Sequence, residues 1–386
     1  MAPPRKPVVL HIASDYPGPY SPSHVTTAIR SLVENSRFGM ESMVFVPRRS
    51  RMQLRASRQV VDDVLHLRVG SPMGSMLPML RGRRDYYRSE LLRWLGDRRP
   101  DVIHSHKLSY EATIGSDFAA LLGIPHIVSV RGSSDTNFRN FRLAGGARFG
   151  RILSQSSANL WVSAWAKEPV RELTGYVAGE KDHLFPNAVD AAPPRESRAD
   201  WRQNTLALVG RLDDFEQKGV VPLLRGLAAA HSSLSLDLIG PAGERATQLI
   251  RAEVDRLGLD GRVRMLGARP RGDVRSMLGD YAALVLLSEG ETFGLVFIEA
   301  LLAGTPIVYL AGSGVDGYPF VEGVGVRCAS RRVDDVVKAL VQLSATQARL
   351  RDTLHDRLQR GDFPAIDARE QAIMYSELVA TVASAR

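Results

Sequence analysis

Short runs of β-branched and other apolar residues alternate with segments of helical periodicity along nearly the whole chain. In the first half, this pattern predicts strands at 7–13, 42–46, 64–69, 102–105, 126–130 and 159–163, and helices near 24–35, 80–98, 110–122 and 164–174. In the second half, it predicts strands near 206–210, 234–240, 263–266, 283–287 and 307–310, and helices near 219–230, 244–257, 274–278, 294–303, 333–343 and 346–359. Strands and helices that alternate in this way are typical of α/β domains with parallel sheets.

A Pro-rich stretch near residues 185–194 interrupts the alternation, and a last helix at 365–384 follows Pro364. A chain of 386 residues suits two domains. We therefore expect two doubly wound, Rossmann-like domains, 1–190 and 191–364, that face each other across a cleft, and a terminal helix at 365–386. Open parallel sheets bind ligands at the carboxyl ends of their strands, so the cleft is the expected ligand site.

Composition indicates a globular protein, since 44% of the residues are hydrophobic and 24% are charged. The apolar runs stay below the about 18 residues that a membrane span needs, and residues 1–6 carry no apolar signal segment. Cys328 is the only cysteine, which excludes an intrachain disulfide and favours a small buried side chain. We expect a soluble cytoplasmic protein.

Positive charge is concentrated in the first half of the chain. The formal net charge is +8, and residues 1–190 hold 26 Lys and Arg against 17 Asp and Glu, with most of the excess at 48–99. The excess suggests an anionic partner such as an anionic lipid, a phosphorylated glycan or nucleic acid, or it reflects only a preference for arginine. Residues 77–99 suit either an amphipathic helix on an anionic membrane or a helix packed on its own sheet.

Residues 287–300 combine a strand end, a glycine-containing turn and a helix start at Gly294. A helix N-terminus that follows a strand offers backbone N–H groups and the positive end of the helix dipole, which suit a phosphate. Glu291 lies in the turn, beside this anion site. Glu299 lies inside the helix, where a buried carboxylate needs a partner. That partner is either a ribose or another side chain of the fold.

Two cations follow a strand in the same half of the chain. Arg211 comes directly after a predicted strand, and Lys218 precedes the next helix. We expect both to project toward Gly294, where they would hold a diphosphate and stabilise it as a leaving group. The alternative is that they are ordinary surface cations.

Together these motifs resemble the retaining glycosyltransferases of family 4, which have the GT-B fold. The resemblance rests on Gly210-Arg211, on Lys218-Gly219 and on the pattern Ser-x-x-Glu-x-Phe-Gly-x-x-x-x-Glu-Ala-x-x-x-Gly-Thr-Pro at 288–306. Further matches lie at 101–106, 123–125, 131–135 and 186–190, and the whole resemblance spans about residues 8–345. It implies that the last helix crosses back to the first domain.

The resemblance also implies a donor site for a UDP- or GDP-sugar. Arg211 and Lys218 would bind the diphosphate, Glu291 would contact the sugar and Glu299 the ribose. The other donor-binding residues that it implies are Thr292, Phe293, Gly294, Leu295 and Arg269. It implies neither a metal ion nor a cofactor, because arginine and lysine replace the divalent ion.

The acceptor side departs from the family pattern. Arg131 stands where many members have histidine, so a phosphate or an acidic sugar could be bound there, while an arginine cannot act as a general base. The acceptor-side candidates are Arg131, His106 and Ser21, the last in a loop that lacks the usual Gly-Gly. His104 and His106 are expected to point to opposite faces of a strand end, with His104 packed inside.

Four other kinds of site are not favoured by the sequence pattern. Residues 312–317 match G-x-G-x-x-G, but Tyr318 and Pro319 prevent the helix that a dinucleotide site requires. Clusters with metal-ligand spacing are absent from the sequence, as is a nucleophile elbow. A nucleic-acid-binding module is also absent, so nucleic acid is not expected as a partner.

The leading hypothesis is a glycosyltransferase that moves a sugar from a nucleotide-sugar donor to an acceptor hydroxyl with retention of configuration. The acceptor would be a glycan or a lipid-linked glycan in bacterial envelope polysaccharide or glycolipid assembly. The protein could lie peripherally on the inner face of the plasma membrane. The alternatives are a nucleotide-sugar 2-epimerase and a non-catalytic GT-B scaffold that binds an anionic glycan or lipid.

Overall fold

The computed structural model describes residues 5–20, 27–50, 56–70, 81–131, 133–136, 146–190, 202–230 and 232–385. The chain forms two compact units, Met1–Ala188 together with Ala365–Arg386, and Val189–Pro364. Each unit is an α/β structure on a largely parallel sheet, which confirms the predicted fold class. Ser21 lies outside the described residues.

The first unit is built on one sheet. Its strands are β1 (Val8–Ile12), β2 (Glu41–Ser50), β3 (Ser57–Val61), β4 (Val64–Gly70), β5 (Val102–Ser105), β6 (His126–Val130), β7 (Ala158–Trp161) and β8 (Asp182–Leu184). Its helices are α1 (Ala28–Asn35), α2 (Arg81–Leu95), α3 (Glu111–Leu122), α4 (Ser133–Thr136), α5 (Gly146–Gln155), α6 (Lys167–Thr174) and the C-terminal helix (Ala368–Ser384), with 3₁₀ turns at Ala164–Ala166 and Pro364–Ile366.

The strands of this sheet lie in the order β3-β4-β2-β1-β5-β6-β7-β8. Neighbouring strands are parallel except for β3 and β4, which form a hairpin. Val61 pairs with Val64, and Asp62 between them has a positive φ of 51°, as a tight two-residue hairpin turn requires.

Alternate residues of the central strands face two hydrophobic clusters on opposite sides of the sheet. Leu10 packs with residues of α2 and α3, whereas Val9 packs with Tyr375 and other residues of the C-terminal helix. The predicted return of this helix to the first domain is therefore confirmed. It also makes a polar contact, since the Tyr375 hydroxyl lies 2.7 Å from Nδ1 of His104.

Helix α2 covers most of the segment that could have been either a membrane-surface helix or a packed one. Tyr87, Leu91 and Leu95 are buried in the core of the first unit, so this apolar face packs against the sheet. Across the described part of the chain, every helix is too short or too polar to cross a membrane.

The second unit is built on a sheet of parallel strands in the order β11-β10-β9-β12-β13-β14. The strands are β9 (Arg202–Val209), β10 (Ser235–Ile239), β11 (Val263–Gly267), β12 (Tyr281–Leu286), β13 (Ile307–Leu310) and β14 (Gly325–Cys328). The helices are α7 (Phe215–Lys218), α8 (Val220–Ala229), α9 (Glu244–Arg256), α10 (Arg271–Leu278), α11 (Leu295–Leu302) and α12 (Val333–Gln359), with 3₁₀ turns at Leu212–Asp214 and Pro319–Val321.

The structure corrects one prediction in this unit: the two helices expected at 333–343 and 346–359 are the single helix α12. The polar residues at the expected break are satisfied within the helix. Ser344 Oγ donates to the carbonyl of Leu340 at 3.0 Å, and Thr346 Oγ1 donates to that of Gln342 at 2.7 Å. Cys328 is buried, as expected.

The sequence pattern did not predict six of the described strands and α-helices: β3, β8, β14, α4, α5 and α7. Strand β3 is a mostly exposed edge strand, so it lacks an apolar run. Helix α5 contains two glycines that disfavour a helix locally. A Cβ atom on Gly146 would lie 1.9 Å from the carbonyl oxygen of Leu173, and one on Gly150 would lie 2.4 Å from that of Thr174. Tertiary packing against the end of α6 thus requires these glycines.

Buried histidines should make the stability of the first unit depend on pH. Burial lowers the pKa of His11 and of His126 to about 3, and the charge of Arg131 adds to the effect at His11. Burial also places the pKa of His104 and of His106 well below the usual value. Since the unfolded chain then binds more protons, this stability is fully present above pH 6.5 and is lost as the pH falls toward 3.

We expect the free energy of unfolding to fall between pH 7 and pH 5, by about 2 kcal/mol for each such histidine. Glu111 opposes the trend by about one histidine's share, because burial raises its pKa to about 7 and its protonation favours the folded state. Urea titrations followed by the fluorescence of the buried Trp94 and Trp161 would measure the effect. A midpoint that stays constant or rises on acidification would contradict it.

Candidate functional site

The strand order of the second unit identifies where a ligand can bind. Strand β9 lies beside β12, and the sheet grows outward from this pair in both directions, through β10 and β11 on one side and β13 and β14 on the other. Loops that follow such a pair diverge and leave a crevice at the carboxyl ends of the strands. Arg211 follows β9, and the turn that carries Glu291 follows β12. The two motifs found in the sequence therefore meet at this crevice.

Lys218 and Glu291 form an ion pair there. Nζ of Lys218 lies 2.7 Å from Oε2 of Glu291, and the two side chains are 17% and 19% exposed. One glycine lets the backbone come this close. A Cβ atom on Gly219, whose φ is +75°, would lie 2.5 Å from the carbonyl oxygen of Leu287, whereas one on Gly210 would make only an ordinary contact with the Lys218 stem at 3.4 Å.

Arg211 is also paired with a carboxylate. Its Nε and one terminal nitrogen donate to Oδ2 of Asp214 at 2.8 and 2.6 Å, and the side chain is 53% exposed. Both expected cations therefore lie beside the crevice, and each is held by an acidic group rather than left unpaired. An incoming diphosphate would compete with Asp214 and Glu291 for them.

Gly294 sets the geometry of the helix start. It has a φ of +76° and precedes α11. A Cβ atom on it would lie 2.7 Å from the ring of Phe297 and 3.3 Å from Cγ of Glu291. The first turn of a helix exposes backbone N–H groups that the helix cannot satisfy, so the segment from Thr292 to Leu295 can present amides to an anion.

Glu299 has the protein partner that the sequence left as one of two alternatives. It is 8% exposed, and its Oε1 accepts from Nε of Arg271 at 2.8 Å. Arg271 begins α10 and is half exposed. The sequence pattern did not indicate Arg271, because an arginine at a helix start belongs to no recognisable motif. Arg269, two residues earlier, is exposed.

The glycine-rich segment 312–317 supports the turn that carries Glu291. Ser313 Oγ donates to the carbonyl of Ser288 at 2.6 Å and accepts from the backbone N–H of Glu291 at 3.1 Å, and Gly314 N–H donates to the carbonyl of Glu291 at 2.8 Å. A 3₁₀ turn, Pro319–Val321, follows. The segment is thus a support for the candidate donor site rather than a dinucleotide motif.

The first unit places a buried polar cluster at the corresponding crevice, between β1 and β5. The prediction that His104 and His106 face opposite ways is wrong, since their ring centroids are 3.9 Å apart. Strand β5 ends at Ser105, so the alternation no longer applies at His106. His11 of β1 joins them, with Nδ1 3.1 Å from Nε2 of His106. All three are fully buried, and His104 is packed as expected.

These three histidines are not suited to a metal ion, although their candidate ligand atoms lie within 4.8 Å of one another. Both ring nitrogens of His104 are engaged, by the hydroxyls of Tyr375 and Ser129. The positive charge of Arg131 also lowers the pKa of all three histidines, and the same potential opposes a cation. The cluster escaped the sequence search because His11 is 95 residues from His106.

Arg131 directly follows β6, and a buried carboxylate fixes the backbone there. Its backbone N–H donates to Oδ2 of the buried Asp135 at 3.0 Å, and Asp135 also accepts from the N–H of Ser109 at 3.1 Å. Burial lowers the pKa of Arg131 to about 10, so it stays charged at neutral pH. Among the described residues, none accepts a hydrogen bond from its Nε, which leaves this buried donor unused.

The basic excess of the first half is partly neutralised within the described residues. Arg58 and Arg93 both pair with Glu90, and Arg98 pairs with Asp63. Less of the charge in residues 48–99 is therefore available to a partner than the count of arginines suggests.

Comparison with known proteins identifies the family. A model described as Glycosyltransferase Family 4 matches residues 23–192, and one described as Glycosyl transferases group 1 matches residues 193–358. The chain belongs to glycosyltransferase family 4. Its fold is GT-B, as the resemblance in the sequence implied.

Two curated relatives illustrate the range of this family. The chain is 30% identical to a D-inositol 3-phosphate glycosyltransferase of Frankia alni over 295 residues, which cover 67% of the chain and 66% of the relative. It is 27% identical to a glycogen synthase of Mycobacterium tuberculosis over 252 residues, which cover 63% and 59%. The chain thus spans two thirds or less of the length of these relatives.

Solved structures share the fold at low sequence identity. A sucrose-phosphate synthase from Thermosynechococcus elongatus has a TM-score of 0.71 at 16% identity, covering 99% of the chain and all of that structure. HepE of Anabaena in complex with UDP has a TM-score of 0.69 at 15% identity, covering 97% of the chain and all of that structure.

Gly294→Ala should destabilise the second unit more than a matched change at Gly304. Both glycines have a φ near +80°, but a Cβ atom on Gly304 meets nothing within 4 Å, whereas one on Gly294 collides with Phe297. Backbone strain alone costs about 1 kcal/mol, and the collision adds about 1–3 kcal/mol. Urea unfolding of both variants measures the difference, and equal losses would refute the close approach.

Proposed function

We propose that this protein transfers a sugar from a nucleotide-sugar donor to an acceptor hydroxyl with retention of configuration. The observation that carries the proposal is the arrangement at the crevice between β9 and β12. Two cations, a helix start at Gly294 and a carboxylate in the adjacent turn come together there. Cations and helix amides bind phosphate, and the carboxylate can accept hydrogen bonds from sugar hydroxyls.

Binding of the donor would exchange the partners of the two cations. The diphosphate replaces Asp214 beside Arg211 and Glu291 beside Lys218, which frees the Glu291 carboxylate for the sugar. The bond between the anomeric carbon and the phosphate oxygen then breaks, and its electron pair goes to the leaving diphosphate. The acceptor oxygen bonds to the anomeric carbon on the same face, and its proton passes to the leaving phosphate.

In this scheme the protein supplies electrostatic stabilisation of the leaving group rather than a general base. Cations that interact most strongly as charge develops lower the barrier without changing donor affinity to the same extent. Because Arg211 and Lys218 provide this charge, we propose that catalysis requires no divalent metal ion.

The donor is proposed to be a UDP-sugar or a GDP-sugar. Support comes from a protein of the same fold, HepE of Anabaena, which has been solved with UDP and with UDP-glucose. The relatives are glycosyltransferases and synthases by name. Neither they nor the fold favours the epimerase or the scaffold alternative.

The acceptor is proposed to carry a phosphate or a carboxylate, as in a phosphorylated or lipid-linked glycan of envelope assembly. Arg131 supports this, because it is a charged group at the crevice of the first unit with an unused buried donor. One curated relative is named for D-inositol 3-phosphate, and one solved structure of this fold holds glucose 6-phosphate. We also propose that the protein works in the cytoplasm, with any membrane contact peripheral.

Arg211→Ala and Lys218→Ala should each reduce turnover at saturating donor by roughly 30- to 1,000-fold, which corresponds to about 2–4 kcal/mol of transition-state stabilisation. Arg256→Ala is a matched control, because Arg256 also pairs with a carboxylate three residues away and is 58% exposed. The rates are measured with EDTA present, which should leave the wild-type rate unchanged. Normal turnover in both site variants would refute the donor-site assignment.

An anionic acceptor should show salt-dependent kinetics that depend on Arg131. Attraction between charges is screened over about 8 Å at 0.15 M salt, so acceptor KM should rise with ionic strength. Glucose 6-phosphate and inositol 3-phosphate are compared with glucose and inositol, in the wild type and in Arg131→Gln. A neutral acceptor used equally well by both proteins, at all salt concentrations, would overturn this part of the proposal.

A further inference from the structure

Arg331 donates hydrogen bonds to both backbone segments that carry the candidate donor-site residues of the second unit. Its Nε donates to the carbonyl of Leu287 at 2.6 Å, and its two terminal nitrogens donate to the carbonyls of Glu216, at 3.1 Å, and of Gln217. Leu287 begins the segment that leads to Glu291, while Glu216 and Gln217 directly precede Lys218. One guanidinium therefore spans the two sides of the Lys218–Glu291 ion pair.

The carbonyls that Arg331 binds include two at a helix end. Glu216 and Gln217 belong to α7, a single turn, and the last carbonyls of a helix lack donors from a continuing helix; that of Glu216 also accepts from the N–H of Gly219 at 3.2 Å. A cation at a helix C-terminus also interacts favourably with the helix dipole. The side chain of Arg331 is 16% exposed, and Oε2 of Glu289 lies 3.4 Å from one terminal nitrogen. Its planar fork donates to the three carbonyls from three separate nitrogens, whereas a lysine has all its donors on one.

Direct hydrogen bonds between the two segments complete the junction. Glu289 N–H donates to the carbonyl of Gln217 at 3.0 Å, and Nε2 of Gln217 donates to the carbonyl of Glu289 at 3.3 Å. These bonds join the residue directly before Lys218 to the residue two positions before Glu291. The separation of the two catalytic candidates is therefore set by the junction behind them.

Arg331 is itself held in place by the residues beside it. Ser330 Oγ donates to Oδ2 of Asp335 at 2.6 Å and accepts from the N–H of Arg332 at 3.1 Å, which fixes the start of α12. The thiol of Cys328 donates to the carbonyl of Ser330 at 3.1 Å. The arginine thus projects from a constrained segment rather than from a free loop.

We infer that Arg331 is a positioning residue that fixes Lys218 relative to the turn of Glu291, and so sets how well the site holds a nucleoside diphosphate. The inference rests on the proposed function only for the identity of that ligand. Arg331 acts through Lys218 and does not itself touch the diphosphate. Without the hydrogen bonds from Arg331, the segment that carries Lys218 should move away from the turn that carries Glu291.

Arg331→Met tests the inference, with Arg262→Met as the matched control. Arg262 also ties backbone carbonyls together, those of Leu234 and Leu227, but it precedes β11 at the opposite edge of the sheet. Amide hydrogen exchange in the full chain should become at least tenfold faster at Gly219 and Glu289 in Arg331→Met and stay unchanged there in Arg262→Met. Unchanged exchange at both amides would overturn the inference, whatever the ligand is.

The second measurement is binding of UDP and GDP by calorimetry, together with turnover. We expect Arg331→Met to weaken diphosphate binding at least fivefold and to lower kcat at least tenfold, Arg331→Lys to recover part of both, and Arg262→Met to stay within twofold of the wild type. Equal diphosphate affinity in Arg331→Met and the wild type would overturn the inference. A wild-type protein that binds neither nucleotide refutes the proposed donor, and the exchange data then decide the role of Arg331.

Discussion

The candidate chemistry depends on one topological constraint, the switch point of each sheet. At this point two neighbouring strands are followed by connections that run to opposite edges of the sheet. In the second unit this point lies between β9 and β12, and in the first between β1 and β5. The chain leaves two such neighbouring strands in opposite directions, so their loops cannot fill the space between them. Arg211 and Glu291 border one crevice, and His11 and His106 border the other.

Within the second unit, three cations at the site are each paired with a carboxylate. Arg211 pairs with Asp214, Lys218 with Glu291, and Arg271 with Glu299. An anionic ligand must compete with these carboxylates, so part of its binding energy is used to break ion pairs that are partly desolvated. The same exchange releases carboxylates that can then bind hydroxyl groups. The proposed donor, which carries both a diphosphate and a polyol, would use both sets of groups.

In the first unit, burial affects a group of histidines and one arginine rather than a set of ion pairs. His11, His104, His106 and His126 are packed without charge, because desolvation lowers their pKa values. Arg131 keeps its charge beside them, since even a pKa lowered to about 10 leaves it protonated at neutral pH. The cation is buried and has the carboxylates of Glu111, Asp15 and Asp135 near it, and in such a desolvated place its attraction for an anion is stronger than at an open surface.

The sequence by itself determined the α/β class, most strands and helices, and the positions of Arg211, Lys218, Glu291 and Gly294 at strand and helix ends. These features follow from local periodicity and from glycine turns, because both depend only on residues that are close together in the sequence. Only the tertiary structure decided which groups meet, as with Lys218 and Glu291, 73 residues apart, or Arg331 and Gln217, 114 apart. It also decided that His104 and His106 lie together and that α12 is continuous. Contacts between distant segments depend on how strands are ordered in the sheet, and a single sequence carries no local pattern for that order.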